Sequence, residues 1–320
     1  MRLRASMGFM KSHRNPKRAL GIGVQLPEVE RVVRWDELKQ MAQTAEAVGF
    51  DSIWLGDHLI YRNPGEPPTG PWEVWSTLSA LAAVTDTVQL GPLVAATSFH
   101  NPAMLAKKAA AVDEISGGRL ILGLGAGWNR TEYDAFGFAY DQRVSRFEEA
   151  FTIIRKLLAG ETLDFHGRFY HLDACQLLPA SVNPNGGPPL MIGSTGPRML
   201  GITLPFVEQW NVWYAWFGNR VSGLIEVLEN LDAACAKSNR DPSTLERTAA
   251  LYVQAPGGAG RSRGDEDKTE APPLAGSVEQ VADALIEFAD AGIHQVEMVV
   301  DPITVESIEW CGGIIDCLDS

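Results

Sequence analysis

Short apolar runs alternate with amphipathic stretches along almost the whole chain. Ala19–Leu26 is an apolar run closed by Pro27. Asp36 then caps a helix in which Leu38, Met41, Ala42, Ala45 and Val48 share one stripe, stopped by Gly49. The alternation continues with strands over Phe50–Asp57, Val88–Ala95, Arg119–Leu124, Pro189–Gly193, Val207–Val212, Arg247–Gln254 and His294–Val300. Between them fall helical patterns at Trp75–Val84, from the Asn101-Pro102 cap to Ile115, at Arg143–Leu158, from Pro197, at Val221–Ser238, from the Ser277/Gln280 capping box to Ala291, and at Val305–Cys317. Glu161–Gly187 reads as an irregular insertion, and Ala255–Gly276, full of Gly, Pro and charge, as a mobile loop.

Eight strand-then-helix units with near-continuously apolar strands predict a parallel sheet covered by helices. Eight favour closure into a (β/α)8 TIM barrel, with the insertion after the fourth unit; an open doubly wound sheet is the competing topology. Residues 19–320 then form a single domain, preceded by a basic arm over residues 1–18. That arm carries Arg2, Arg4, Lys11, Arg14, Lys17 and Arg18 and no acid, and lacks the apolar centre of a secretory signal. It is expected to be disordered, with a start at Met7 or Met10 as a further expectation.

The net charge of −13 argues against nucleic acid or an anionic membrane as the main partner, and no stretch has the length and apolarity of a membrane span. Cys175, Cys235, Cys311 and Cys317 show no zinc spacing. Free thiols in the cytoplasm are the simplest account. The histidines are scattered, with no H-E-x-x-H, so no metal site is expected.

Barrel enzymes place their chemistry where strands end and the following loops begin. Four places qualify: Asp57-His58, Thr97–Asn101, Gly125–Glu132 and Gly193–Arg198. His58 can exchange a proton near neutral pH; a structural histidine is the plainer alternative. Gly123-Leu-Gly125-Ala-Gly127 lets backbone approach a flat ring, but Trp128 occupies the third glycine position of a dinucleotide fingerprint, so that reading fails. Crowding inside the barrel explains such glycines equally well. Gly193-Ser194-Thr195-Gly196 opening a helix, with Arg198 just inside, suits a phosphate group; a simple turn with a surface arginine is the alternative. Many tryptophans fall near strand ends, which suits a planar cofactor and an apolar substrate.

The segments "AEAVGFDSIWLGDH", "SGGRLILGLGAGWNRTEYDAFG", "LLAGETLDFHGRFYHL", "PLMIGSTGPRMLGI" and "GSVEQVADALIEFADAGIHQVEMVV" resemble the bacterial luciferase-like monooxygenase superfamily over about residues 20–300. The branch that uses the deazaflavin coenzyme F420 is the nearest in flavour, with FMN-using members much alike. The resemblance implies a cofactor ring at the barrel mouth near Asp57 and His58, with His58 as proton donor or ring anchor. It implies a bulge at Leu93-Val94 under the ring, which in F420 members contains a non-proline cis peptide. Ala126, Gly127, Trp128 and Thr131 would line the cofactor, with Gly193, Ser194, Thr195, Gly196 and Arg198 around its phosphate. Members acting on sugar phosphates carry an acidic residue at the position of Trp128, which argues for a more apolar substrate here. The expected activity is hydride transfer between F420 and a small apolar organic molecule. The alternatives are O2-using chemistry with reduced FMN delivered by a separate reductase, and a flavin-binding protein without catalysis. Relatives commonly pair as homodimers, and the same is expected here.

Overall fold

The computed structural model describes residues 18–180, 186–260 and 271–320. In chain order the elements are β1 (Gly21–Gln25), α1 (Trp35–Ala47), β2 (Ser52–Leu55), α2 (Val74–Ala82), β3 (Gln89–Pro92), β4 (Ala95–Ala96), α3 (Pro102–Ser116), β5 (Leu122–Gly125), α4 (Arg130–Phe136) and α5 (Arg143–Leu158). They continue with β6 (Leu163–His166), β7 (His171–Cys175), β8 (Leu190–Gly193), α6 (Pro197–Thr203), β9 (Gln209–Trp213), α7 (Val221–Lys237), β10 (Glu246–Gln254), α8 (Val278–Asp290), β11 (Gln295–Asp301) and α9 (Val305–Leu318).

The main sheet is parallel, in the order β3-β2-β1-β11-β10-β9-β8-β5-β4. Its two ends, β3 and β4, are consecutive pieces of one predicted strand, interrupted at Leu93-Val94, where the peptide is cis. Leu90 also bridges Leu120, and the Ile121 N–H donates to the Leu90 carbonyl at 2.9 Å. The sheet therefore closes on itself, and the barrel expectation holds. At this seam the backbones almost touch: a Cβ added to Gly91 would lie 2.2 Å from the Ile121 carbonyl oxygen, and one on Gly123 2.2 Å from that of Pro92.

The interior is filled from several strands around the barrel. Trp54 of β2, Ile121 ahead of β5 and Met191 of β8 cluster with Leu93 and Val94 against them. Toward the strands' N-terminal ends the filling becomes polar. Asn211 donates to the Glu297 carboxylate (2.7 Å) and to Thr248; Gln295 donates to Glu297 (3.0 Å) and Ser52. These buried groups satisfy one another, as such groups must. The larger apolar core lies between sheet and helices, and Leu38, Met41, Ala42 and Ala45 form the buried stripe of α1.

Several expectations need correction. Asp36 does not cap α1: Arg34 holds the N-cap position without a side-chain bond, and Asp36 sits in the first turn. The stretch expected to be irregular over 161–187 contains an antiparallel hairpin, β6 with β7; residues 181–185 lie outside the described residues. The hairpin turn is anchored to α5 by Glu149, whose carboxylate accepts the N–H groups of Arg168, Phe169 and Tyr170 at 2.8–3.2 Å. Of the basic arm, residues 1–17 lie outside the described residues, but Arg18 is buried and paired with Asp51 and Asp319. The expected loop 255–276 lies partly outside as well; at its described ends Ala255 and Leu274 are buried, with Leu274 bridging Val253.

Arg119 secures the approach to the seam. Its buried guanidinium donates to the carbonyls of Ser116, Val88, Ala82 and Thr85 and to the Thr85 hydroxyl, all within 3.0 Å. Burial draws its pKa below the ordinary arginine value. Lysine has fewer donors and no planar fork, so Arg119→Lys leaves buried carbonyls unmatched and is expected to cost about 3 kcal/mol. Urea unfolding measures this; a loss below about 1 kcal/mol would remove Arg119 from the account of stability.

Candidate active site

Because the barrel strands are parallel, Leu55, Ala96, Gly125 and Gly193 end at one mouth. The loops leaving those strands carry the four groups expected from sequence.

His58 follows β2 and is only 17% exposed at its side chain. Its Nδ1 lies 3.1 Å from both carboxylate oxygens of Glu132, and its Nε2 lies 3.5 Å from Glu28 Oε1. Both carboxylates are buried. Glu132 Oε1 also accepts the Leu59 N–H at 2.6 Å. Glu28 accepts the Tyr61 hydroxyl at 2.9 Å and the Gln25 amide at 3.0 Å. Tyr61 and Trp128 wall the imidazole, with ring centroids 4.9 and 5.7 Å away. Trp128 remains half exposed, so an aromatic face is open at the mouth beside the histidine.

Asp57, which the resemblance places near the ring, is buried and bonded to two neighbours. Its Oδ2 accepts the Ala96 N–H at 2.9 Å and lies 2.9 Å from His100 Nε2. It thereby ties β4 to the end of β2. Val94 itself packs between strand ends: a Cβ on Gly125 would lie 2.7 Å from Val94 Cγ2, and one on Gly193 3.0 Å from its Cγ1. Crowding thus explains these two glycines. Gly127 has φ +78°, and a Cβ there would lie 2.2 Å from the Tyr133 hydroxyl. Tyr133 donates to the Ala126 carbonyl at 2.8 Å, and burial raises its pKa above the ordinary phenol value. Thr131 sits in the first turn of α4, a short helix that the sequence reading did not include, capped by the Asn129 side chain.

The Gly193–Gly196 turn is more open. A Cβ at Gly196 would meet only Ser194 Oγ, at 3.6 Å, and α6 begins without a side-chain cap. Thr195 is exposed, and Ser194 is held from behind by Trp210 Nε1, which donates to its carbonyl. Arg198 is engaged with α5: its Nη2 donates to Glu148 at 2.8 Å and to Ser145 at 3.0 Å. The turn and His58 lie at the same mouth, after β8 and β2.

These residues fit a planar ring with an anionic tail. The Val94 shelf and the Trp128 face suit a ring, and the uncapped start of α6 suits an anion. Glu28 and Tyr61 are site residues that the four candidate stretches left out, and His100 and Glu132 were included only as members of a stretch. Glu28 had a signal, since it follows the proline that closes the first strand. Among the described residues no cluster of His, Cys, Asp and Glu has the makings of a metal site, all four cysteines are free, and no helix is long and apolar enough to cross a membrane.

The sequence model of one family, described as luciferase-like monooxygenase, matches residues 12–256. The chain belongs to that family. Among characterised relatives, it is 29% identical over 219 residues to the 5,10-methylenetetrahydromethanopterin reductase of Archaeoglobus fulgidus, covering 68% of this chain and 60% of the relative. It is 28% identical over 245 residues to the F420-dependent hydroxymycolic acid dehydrogenase of Mycobacterium tuberculosis, covering 73% and 62%. The chain thus spans about three fifths of the length of these two relatives. In three dimensions it superposes on an F420-dependent secondary alcohol dehydrogenase, solved with an F420–acetone adduct, at a TM-score of 0.77 and 19% identity, covering 93% of this chain and 99% of that one. At that identity the match speaks for the fold: a luciferase-like barrel.

Proposed function

We propose that this luciferase-like protein is an oxidoreductase that moves a hydride between coenzyme F420 and a small apolar organic molecule. The observation that carries the reading is the shared mouth: an imidazole between two buried carboxylates on one side, and the Val94 shelf with the open Ser194–Gly196 turn on the other. Family membership and the F420-dependent relative support it. When bound, the deazaflavin supplies the hydride chemistry. The chain's own residues do the rest. Val94 supports a ring face, the Ser194–Gly196 turn receives an anionic group, Trp128 and Tyr61 shield the reacting region from water, and His58 passes the proton that accompanies the hydride. Pairing as a homodimer, regeneration of reduced cofactor by a separate enzyme and residence in the cytoplasm belong to the same proposal.

Titrating the purified protein with F420 and, separately, with FMN, following fluorescence and co-elution, tests the cofactor. Saturable F420 binding, and F420 reduction or oxidation with a panel of apolar alcohols and ketones, is the expected result. Binding of FMN alone would discard F420 in favour of O2-using chemistry, and binding without turnover across the panel would point to a carrier.

A further inference from the structure

The imidazole of His58 has two different surroundings. On the Nδ1 side stands a carboxylate with almost no exposure, 3.1 Å away through both oxygens and fixed from a third direction by the Leu59 N–H. Glu132 lies in the first turn of α4, and the preceding cap residue, Asn129, ties that turn to the Ile60 carbonyl. On the Nε2 side the nearest carboxylate, Glu28, is at 3.5 Å and already accepts Tyr61 and Gln25. A carboxylate facing Nδ1 at hydrogen-bond distance requires a proton on Nδ1, whatever the charge of the ring. The neutral tautomer is thereby chosen: Nδ1 carries the hydrogen, and Nε2 keeps the lone pair.

We infer that Glu132 is a positioning residue that holds the Nδ1 proton of His58, so that Nε2 is the atom that exchanges a proton with the substrate. The inference rests on the proposed hydride transfer for its catalytic consequence, but the tautomer itself is a property of the protein alone. Glu132 acts through His58. Its role resembles that of any buried carboxylate behind a working imidazole: it orients the ring, selects the tautomer and stabilises the imidazolium. The proton balance is simple. In the oxidation of an alcohol, Nε2 takes the hydroxyl proton as the hydride leaves the carbon; in the reverse direction it returns that proton to the forming alkoxide.

Nitrogen-15 NMR of the protein labelled at histidine, recorded without cofactor at a pH where His58 is neutral, reads the tautomer directly. The His58 signals, assigned by their loss in His58→Gln, are expected to report protonated Nδ1 and bare Nε2. In Glu132→Gln, which keeps the shape but removes the charge, they are expected to move toward a mixture of tautomers. Turnover with F420 is expected to fall on the order of 100-fold in kcat with KM within about twofold, and Glu132→Asp to recover part of the loss. A bare Nδ1 in the parent protein overturns the inference even if no substrate is ever turned over. So does an unchanged tautomer and kcat in Glu132→Gln. Should that variant fail to fold, the parent spectrum decides alone. Failure of F420 turnover with the expected tautomer present would count against the hydride-transfer reading and leave the role of Glu132 standing.

Discussion

Replacing His58 by glutamine is expected to lower turnover about 100- to 10,000-fold, the usual worth of a positioned acid–base group. The size follows from the surroundings. The Tyr61 hydroxyl already donates to Glu28, and burial holds the Tyr133 phenol protonated, so neither stands ready to take over. Glutamine is preferable to alanine, because removing the imidazole leaves Glu28 and Glu132 buried without the ring that lies between them. Cofactor affinity is expected to change by no more than about threefold, since the shelf and the turn are built from β4, β5 and β8. Steady-state kinetics beside fluorescence titration separates the two effects. Full turnover in the variant would take His58 off the catalytic list.

The second large effect is expected at the barrel seam. In Gly91→Ala the new methyl meets the Ile121 carbonyl oxygen at 2.2 Å and Trp54 Cζ3 at 2.9 Å. A flexible side chain can swing aside from such a contact, but a backbone oxygen in a closed barrel cannot. The strands must part, loosening the Leu90–Leu120 bridge and the Trp54–Ile121–Met191 cluster beneath Val94. The expected cost is about 3 kcal/mol or more, together with loss of cofactor binding, because the shelf rests on that cluster. Gly201→Ala is the matched control: it lies in α6, has nothing within 4 Å of the new carbon, and is expected to be neutral or stabilising by about 0.5–1 kcal/mol. Urea denaturation of both, with equal losses in the two variants, would refute the steric account of the seam.

The barrel was legible because its period is redundant. Each strand-and-helix unit repeats the same apolar logic, so an error in one boundary leaves the count intact. Caps were legible where side chain and backbone cooperate, as at Asn101 before α3 and in the Ser277/Gln280 box of α8. Asp36 misled because an acid in the first turn and an acid at the cap look alike in sequence. The hairpin escaped because it is largely exposed on both faces and so has no clean alternation; what holds its turn is Glu149 on another element. At the site, His58 was readable from its place after a strand. Its partners were not, because Glu28, in the loop after β1, and Glu132, in the first turn of α4, lie 30 and 74 residues away from it, and only the closure of the barrel brings them together. The partners of Asp57 and Arg198 were unreadable for a common reason. Sequence shows where a charge begins, and the fold decides which neighbour claims it: His100 and Ala96 for Asp57, Glu148 and Ser145 for Arg198.

Val94 has a consequence for how this scaffold changes over time. One isopropyl group sits against the positions where Gly123 and Gly125 of β5 and Gly193 of β8 lack side chains, so two neighbouring strands inherit their spacing from a single keystone. Outer loops are free to diverge and carry new substrates without disturbing it. A change in the bulk of the keystone would instead reach every wall of the mouth at once, which makes it a dial for the whole aperture and not for any one contact.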